Sequence, residues 1–410
     1  MGGKHWTLLF LLAFAVLPLK AAGLSDRTLR VDYVFSGTDV EAEIAVDALY
    51  SFDGWAGRRV HMDEVPLRGN GEVRMADAAT GRVLYRHTFS TLFQEWQATE
   101  EATRVRKSFE NVFLLPMPTA PVRITVELYD FMGEVAVSLT HPVDPADILI
   151  RPIGQDPAPV RDILRSGSSR ECIDVVILPE GYTAAEMDRF YADAQAAWES
   201  FMQHDVFRRM ASRFNVTAVM IPSEDTGVSI PKKGLWKDTA FQSHFDTFYS
   251  DRYLTTLRLS ALHDRLAGIP YEHIIILANT DNYGGGGIYN SYELTAAHHR
   301  DFRPVVVHEF GHSFAGLADE YFYDDQYVEM YNRDTEPWEQ NITTRKDFAS
   351  KWQDMVGQVD GVGLYEGGGY QSRGVWRASK DCRMQTNAWP DFCPVCARAI
   401  ERMIRFYTEE

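Results

Sequence analysis

Pro304-Val305-Val306-Val307-His308-Glu309-Phe310-Gly311-His312-Ser313-Phe314-Ala315 is the stretch on which the reading of this chain turns. Pro304 suits the first turn of a helix, Val305 to Val307 give that helix an apolar packing surface, and Gly316 supplies a natural stop. Residues four apart on a helix share a face, so the imidazoles of His308 and His312 can reach one metal ion. Glu309 lies about 100° around the helix from His308, which places its carboxylate beside the metal and not on it. That is where a base acting on water belongs.

Five residues in this pattern also arise by chance, so the continuation matters. Gly316-Leu317-Ala318-Asp319-Glu320-Tyr321 brings two carboxylates to the place where a catalytic zinc needs a third protein ligand and an open position. Asp319 and Glu320 are both candidates for that ligand.

Upstream of the motif, strands and helices alternate. Ile173-Asp174-Val175-Val176-Ile177-Leu178 reads as a buried strand, and Thr183-Ala184-Ala185-Glu186 as a capping box opening a helix to about His204. A strand from Phe214 to Ile221, a helix from Tyr253 to Ala267 and a strand from Glu272 to Ala278 follow. This order implies a mixed sheet with helices on its faces. Next come the four glycines of Asn282-Tyr283-Gly284-Gly285-Gly286-Gly287-Ile288-Tyr289, which invite close backbone approach or a bulged edge strand. A nucleotide-binding glycine loop would need a helix opening directly after it, and none does. The tail from Val395 to Tyr407 reads as a closing helix.

Between Arg30 and Ile150 the alternation has period two, as in Arg30-Val31-Asp32-Tyr33-Val34-Phe35, which predicts an all-β sandwich of about seven strands. Arg151-Pro152-Ile153-Gly154-Gln155-Asp156-Pro157-Ala158-Pro159 breaks both periodicities and marks a boundary. The expected organisation is a signal peptide over 1–23, a β-sandwich domain over 24–150, a linker over 151–160 and a catalytic domain over 161–410.

A chain of 410 residues exceeds the usual single core, consistent with two domains. Its 41 Lys and Arg against 58 Asp and Glu leave a formal charge of −17, which disfavours sequence-independent binding to nucleic acid. Lys4 and His5, the apolar run from Leu8 to Leu19, and the small residues Ala21, Ala22 and Gly23 match a secretory signal peptide. The run is too short for a membrane span, which takes about 20 apolar residues, and no cysteine follows it for a lipid anchor. The protein is therefore expected to be exported, either secreted, periplasmic or at the cell surface.

Four cysteines are present, Cys172, Cys382, Cys393 and Cys396, and export favours disulfides over thiols. Cys393-Pro394-Val395-Cys396 could be a redox pair or half of a structural zinc site. The preferred expectation is a staple joining Cys382 to Cys393 or Cys396.

The chain resembles the M64 family of bacterial peptidases, which includes immunoglobulin A peptidases and is metzincin-like. The residues that carry the resemblance are Pro179-Glu180-Gly181-Tyr182-Thr183-Ala184-Ala185-Glu186, the run from His308 to Tyr321, Tyr365-Glu366-Gly367-Gly368-Gly369-Tyr370, and Cys382-Arg383-Met384 with Phe392-Cys393-Pro394-Val395-Cys396. The resemblance implies an α/β zinc-peptidase catalytic domain, metzincin-like, preceded by the all-β sandwich domain. In metzincins a glycine stands three residues after the second histidine and the third ligand three after the glycine. Here Gly316 comes four after His312, and keeping the second interval makes Asp319 the third ligand, with Glu320 or a distant glutamate as alternatives. Met384 is then the candidate methionine beneath the metal.

The implied function is zinc-dependent hydrolysis of peptide bonds, with Zn2+ as cofactor, Glu309 as base, and a protein or peptide as substrate. Tyr370 and Arg377 could stabilise an oxyanion or bind a substrate carboxylate, although both residue types more often pack or face solvent. The competing expectation is an inactive zinc-containing adhesin that binds through its β-sandwich.

Overall fold

In the computed structural model residues 23–324 and 330–409 are described; the expected signal peptide therefore lies almost wholly outside the described residues. The first part of the chain contributes β1 (Leu24–Gly37), β2 (Ala42–Asp53), β3 (Gly71–Asp77), β4 (Val83–Phe89), a short helix α1 (Leu92–Gln97), β5 (Lys107–Pro118), β6 (Val122–Tyr129) and β7 (Val135–Val143). These strands form two sheets. One has the order β5-β1-β2, extended by β8 (Arg151–Pro152), and the other the order β4-β3-β6-β7. Their apolar faces meet in one core, where Phe89 of β4 and Phe113 of β5 bring their ring centroids to 4.5 Å.

The alternation of β1 does not leave a solvated face. Thr28 to Tyr33 are all buried. Arg30 is held by Asp32 through hydrogen bonds of 2.7 and 2.6 Å and reaches Asp264 at 2.7 Å on a helix of the second part. The polar side of this strand is thus a docking surface, and its charges are paired because an unpaired buried guanidinium would be costly.

The second part is organised by β9 (Val160–Arg165), β10 (Ile173–Glu180), β11 (Phe214–Val219), β12 (His273–Ala278), β13 (Gly285–Ile288) and β14 (Tyr292–Ala296). They make a six-stranded sheet of order β13-β14-β12-β10-β11-β9. β10, β11, β12 and β14 pair in parallel, while the two edge strands β9 and β13 run antiparallel to their neighbours.

Parallel strands buried on both faces read as continuous apolar runs, and β10 shows why. Ile173, Val175 and Ile177 enter a core with α2 (Met187–Met202), α3 (Asp205–Met210) and the later helices, whereas Val176 and Leu178 join the core of the first part and α4 (Leu259–Leu266). One face of the sheet is therefore covered by helices, and the other chiefly by α4 and the N-terminal strands. The two parts of the chain share a continuous hydrophobic interior.

The capping box at Thr183 and Glu186 is present, opening a single 3-10 turn before α2. The helix expected from Tyr253 is shorter than the periodicity suggests, starting only at Leu259. Thr255 instead pairs its backbone with His244, and Tyr253 bridges to Gly285, so tertiary pairing overrides local propensity. Helix α5 (Phe302–Ala315) carries the histidine motif, and α6 (Pro394–Thr408) closes the chain with Pro394 in its first turn. Among the described residues no helix is long and apolar enough to cross a membrane.

Candidate metal centre and active site

Helix α5 is buried on nearly every side, with Val305, Val306, Val307, Phe310 and Phe314 inside the core. It ends at Gly316, whose φ of +57° is a left-handed conformation that a glycine adopts without the Cβ penalty. The N–H of Gly316 donates to the carbonyl of His312 at 3.0 Å, and that of Leu317 to Gly311 at 3.1 Å. The reversal returns the chain past its own last turn, bringing Asp319 to the two histidines.

Asp319 Oδ1 lies 3.0 Å from His308 Nε2 and 3.3 Å from His312 Nε2, and the two Nε2 atoms are 3.0 Å apart. Both Nδ1 atoms face backbone carbonyls, that of His308 on Arg383 and that of His312 on Leu317. A proton fixed on each Nδ1 leaves each Nε2 with a lone pair directed at the same point. Two such lone pairs and a carboxylate oxygen repel unless a cation stands between them. Ligands bound to zinc tetrahedrally at about 2.0–2.1 Å are separated by about 3.3 Å, close to all three distances. The residues fit a divalent metal.

Electrostatics agree. Burial works against charge at both His312 and Asp319, yet Asp319 lifts His312 to about 9, and the two histidines hold Asp319 well below the usual carboxylate range.

The second oxygen of Asp319 accepts a hydrogen bond from the Tyr370 hydroxyl. Burial, with Asp319 nearby, keeps this phenol protonated. Tyr370 thus bears on the candidate ligand itself. Arg377 is elsewhere: it is buried, donates to the carbonyls of Glu366 and Gly367, and lies over the Phe322 ring. The suggestion that it meets a substrate is corrected by this packing.

Glu309 points into a cleft of about 600 Å³ lined also by Tyr253, Tyr289 and Tyr370. Burial raises its pKa, with the two histidines acting in the opposite sense. The glycine run explains how the helix comes so close to the sheet. A Cβ on Gly287 would lie 2.2 Å from the backbone oxygen of Glu309, and one on Gly285 would lie 3.0 Å from Glu309 Oε1. Edge strand β13 is therefore pressed flat against α5. Beneath the motif, Met384 is fully buried, and a Cβ on Gly311 would meet its sulfur at 2.8 Å.

Glu320, the alternative ligand, turns away from the histidines. Its side chain is fully buried and accepts from Asn341 and Cys396, each at 3.0 Å. All four cysteines are free thiols. The expected staple is thus absent, because Cys382, Cys393 and Cys396 converge on Glu320 instead of closing a pair.

Several contributors left little trace in the sequence. The carbonyls of Leu317 and Arg383 orient the histidines as backbone groups, which no residue type signals. Asn341 clamps Ala318 through two hydrogen bonds of 2.8 Å while also holding Glu320, and it stands in an irregular region without a motif. Glu95, in α1 of the N-terminal part, reaches the cleft and accepts from the Tyr253 hydroxyl.

Comparison with known proteins places the chain in a family. The family described as IgA Peptidase M64 matches residues 162–362 and 357–404. The family described as Peptidase M64 N-terminus matches residues 22–140. No curated protein matches the chain. Helix, cleft and both halves of the chain fall within these matches, and the protein belongs to the M64 peptidase family.

Proposed function

We propose that this peptidase is an exported zinc-dependent endopeptidase, with His308, His312 and Asp319 as the metal ligands and Glu309 as the catalytic base. The observation that supports it most is the convergence of His308 Nε2, His312 Nε2 and Asp319 Oδ1 within 4.8 Å of one another. We also read the two N-terminal sheets as a β-sandwich domain, residues 151–160 as the linker, and the remainder as a metzincin-like α/β domain.

Zn2+ held by these three residues would supply Lewis acidity, acidifying water and polarising the scissile carbonyl. The chain's own groups do the rest. Glu309 faces the cleft beside the triad, and burial makes it a stronger proton acceptor than a solvated carboxylate. It takes the proton from the attacking water and delivers it to the leaving amine. Tyr370 holds Asp319 by its outer oxygen and so fixes the direction of the inner one. Edge strand β13 pairs with β14 on one side, and beyond the bridge from Tyr253 to Gly285 its other side faces the cleft. An extended peptide can add there as a further strand.

A glutamate aimed at the cleft has no purpose in an inactive adhesin with structural zinc, which favours the enzyme. The test is Glu309→Ala assayed on casein with parallel metal analysis. Zinc content should stay unchanged while cleavage falls by about 10²–10⁴-fold, the usual contribution of a positioned base; undiminished cleavage sinks the mechanism. Export rests on the segment from Lys4 to Gly23. It is tested by sequencing the N-terminus of the mature protein, expected near Leu24; a chain that keeps Met1 and stays inside the cell refutes it.

A further inference from the structure

Behind the histidine site, on the far side of the Asp319-Glu320 pair, lies a second group of metal-ligating side chains. The sulfurs of Cys382, Cys393 and Cys396 and a carboxylate oxygen of Glu320 all lie within 4.8 Å of one another, and all four residues are buried. Cys393 is the N-cap of α6, and its sulfur accepts the N–H of Cys396 at 3.5 Å, while the N–H of Cys393 points to Cys382 Sγ at 3.2 Å. Cys396 Sγ stands 3.0 Å from Glu320 Oε1. None of the four residues lines the catalytic cleft.

Glu320 is the anomaly that points to a ligand. Its side chain is fully buried, and its Oε2 has no hydrogen-bond partner. A buried carboxylate is retained when it is paired or coordinates a cation, and no lysine or arginine makes an ion pair with it among the described residues. A disulfide between two of the cysteines would engage two sulfurs and leave the third thiol and Glu320 as they are. A divalent ion satisfies all four groups at once.

We propose that Cys382, Cys393, Cys396 and Glu320 hold a second, structural Zn2+, independent of the peptidase reading of the histidine site. Three sulfurs and one oxygen in a closed set suit tetrahedral zinc and leave no position for a substrate. As each Zn–S bond forms, the thiol gives its proton to solvent, and nothing is oxidised or reduced. The thiolates and the carboxylate together outweigh the charge of the ion, and the N-terminus of α6 at Cys393 offsets part of the excess.

The ion would be a brace for the first site. Glu320 follows Asp319 directly and donates its N–H to the Met384 carbonyl at 2.9 Å. Cys382 precedes Arg383, whose carbonyl receives His308 Nδ1 at 3.0 Å. Fixing Glu320 and Cys382 to one ion therefore positions both a ligand of the first site and the group that orients another.

The experiment is metal analysis of the purified full-length protein, its His308→Ala/His312→Ala variant and its Cys393→Ser/Cys396→Ser variant. The wild type should hold about two zinc ions per chain and the histidine variant about one, whereas the cysteine variant loses the second ion. Because that last variant can fail to fold, the histidine variant is also loaded with Co2+ alone. Strong thiolate-to-cobalt charge-transfer absorption is expected. A histidine variant free of zinc, cobalt spectra without that absorption, or a disulfide between any two of the three cysteines in the purified protein would each overturn the proposal. A wild-type protein that holds the second zinc yet cleaves no peptide bond would count against the histidine site alone and leave this proposal standing.

Discussion

The Tyr370 hydroxyl donates to Asp319 on the carboxylate oxygen turned away from His308 and His312. The tyrosine is brought there by paired backbones, since Gly369 donates to the Asp319 carbonyl at 2.8 Å and Tyr370 to that of Tyr321 at 3.0 Å. Groups that orient a ligand in this way are typically worth about 10–100-fold in metal affinity or activity. Tyr370→Phe should lose that much in zinc affinity, read by competition with a chelator, while keeping its melting temperature. Unchanged affinity would reduce Tyr370 to a packing residue.

Gly287 sets the distance between the edge strand and the helix. Its absent Cβ would stand 2.2 Å from the Glu309 carbonyl and 2.9 Å from His312 Cβ, both inside van der Waals contact with atoms that cannot swing away. Gly287→Ala should destabilise the protein by about 1–3 kcal/mol, the range for forced overpacking, and lower activity more than stability. Gly81, with nothing near its absent Cβ, is a control for crowding, although its φ of +74° still strains an alanine. Thermal unfolding of both variants checks the difference.

His273 on β12 is buried, its Nε2 has no partner, and it packs edge-on to Phe314 at 4.8 Å between centroids. Burial, with the nearby His87 adding to it, pushes its pKa down to about 3. The unfolded chain binds a proton there below the ordinary value of about 6.5, while the folded chain does not until near 3. Stability contributed by the neutral ring is thus complete above about pH 6.5 and is lost as pH falls toward about 3, on the order of 1 kcal/mol per pH unit. His273→Phe should flatten the fall in urea midpoint between pH 7 and pH 5. An unaltered slope would mean that other groups dominate acid unfolding.

The N-terminal part should be inseparable from the rest. Val176, Leu178, Ile274 and Ile276 of the six-stranded sheet share a core with Leu29, Phe113 and Val126, and Arg30 bonds to Asp264 and the Ser260 carbonyl across the junction. Residues 151–410 expressed alone should aggregate or bind a hydrophobic dye, because that sheet face would be exposed. Arg30→Ala in the full chain, by stranding buried Asp32, should cost about 3–5 kcal/mol. A soluble, cooperatively folded fragment would contradict the shared core.

How much of this was legible in the sequence depends on how local each signal is. The buried strand at Ile173, the capping box at Thr183 and the helix through His308 and His312 are set by neighbouring residues, and each lies where its pattern places it. Asp319 is preferred over Glu320 only through the resemblance to metzincin-like peptidases and its interval after Gly316; the local sequence alone offers both carboxylates. The polar side of β1 could not be read, since Arg30 bonds to Asp264 and the Ser260 carbonyl, 234 and 230 residues further along the chain, a distance at which alternation carries no information. The same holds for the cysteines: three thiols and Glu320 meet through chain crossings, so spacing suggested a staple where the fold makes a cluster.

The most direct measurement is an anomalous difference map collected at the zinc absorption edge from crystals of the zinc-loaded protein. The account predicts a peak at bonding distance, about 2.0–2.2 Å, from His308 Nε2, His312 Nε2 and Asp319 Oδ1, with Glu309 beside it and not bound to it. A peak ligated by Glu320 or a distant residue in place of Asp319, or no peak between the two histidines, would contradict it.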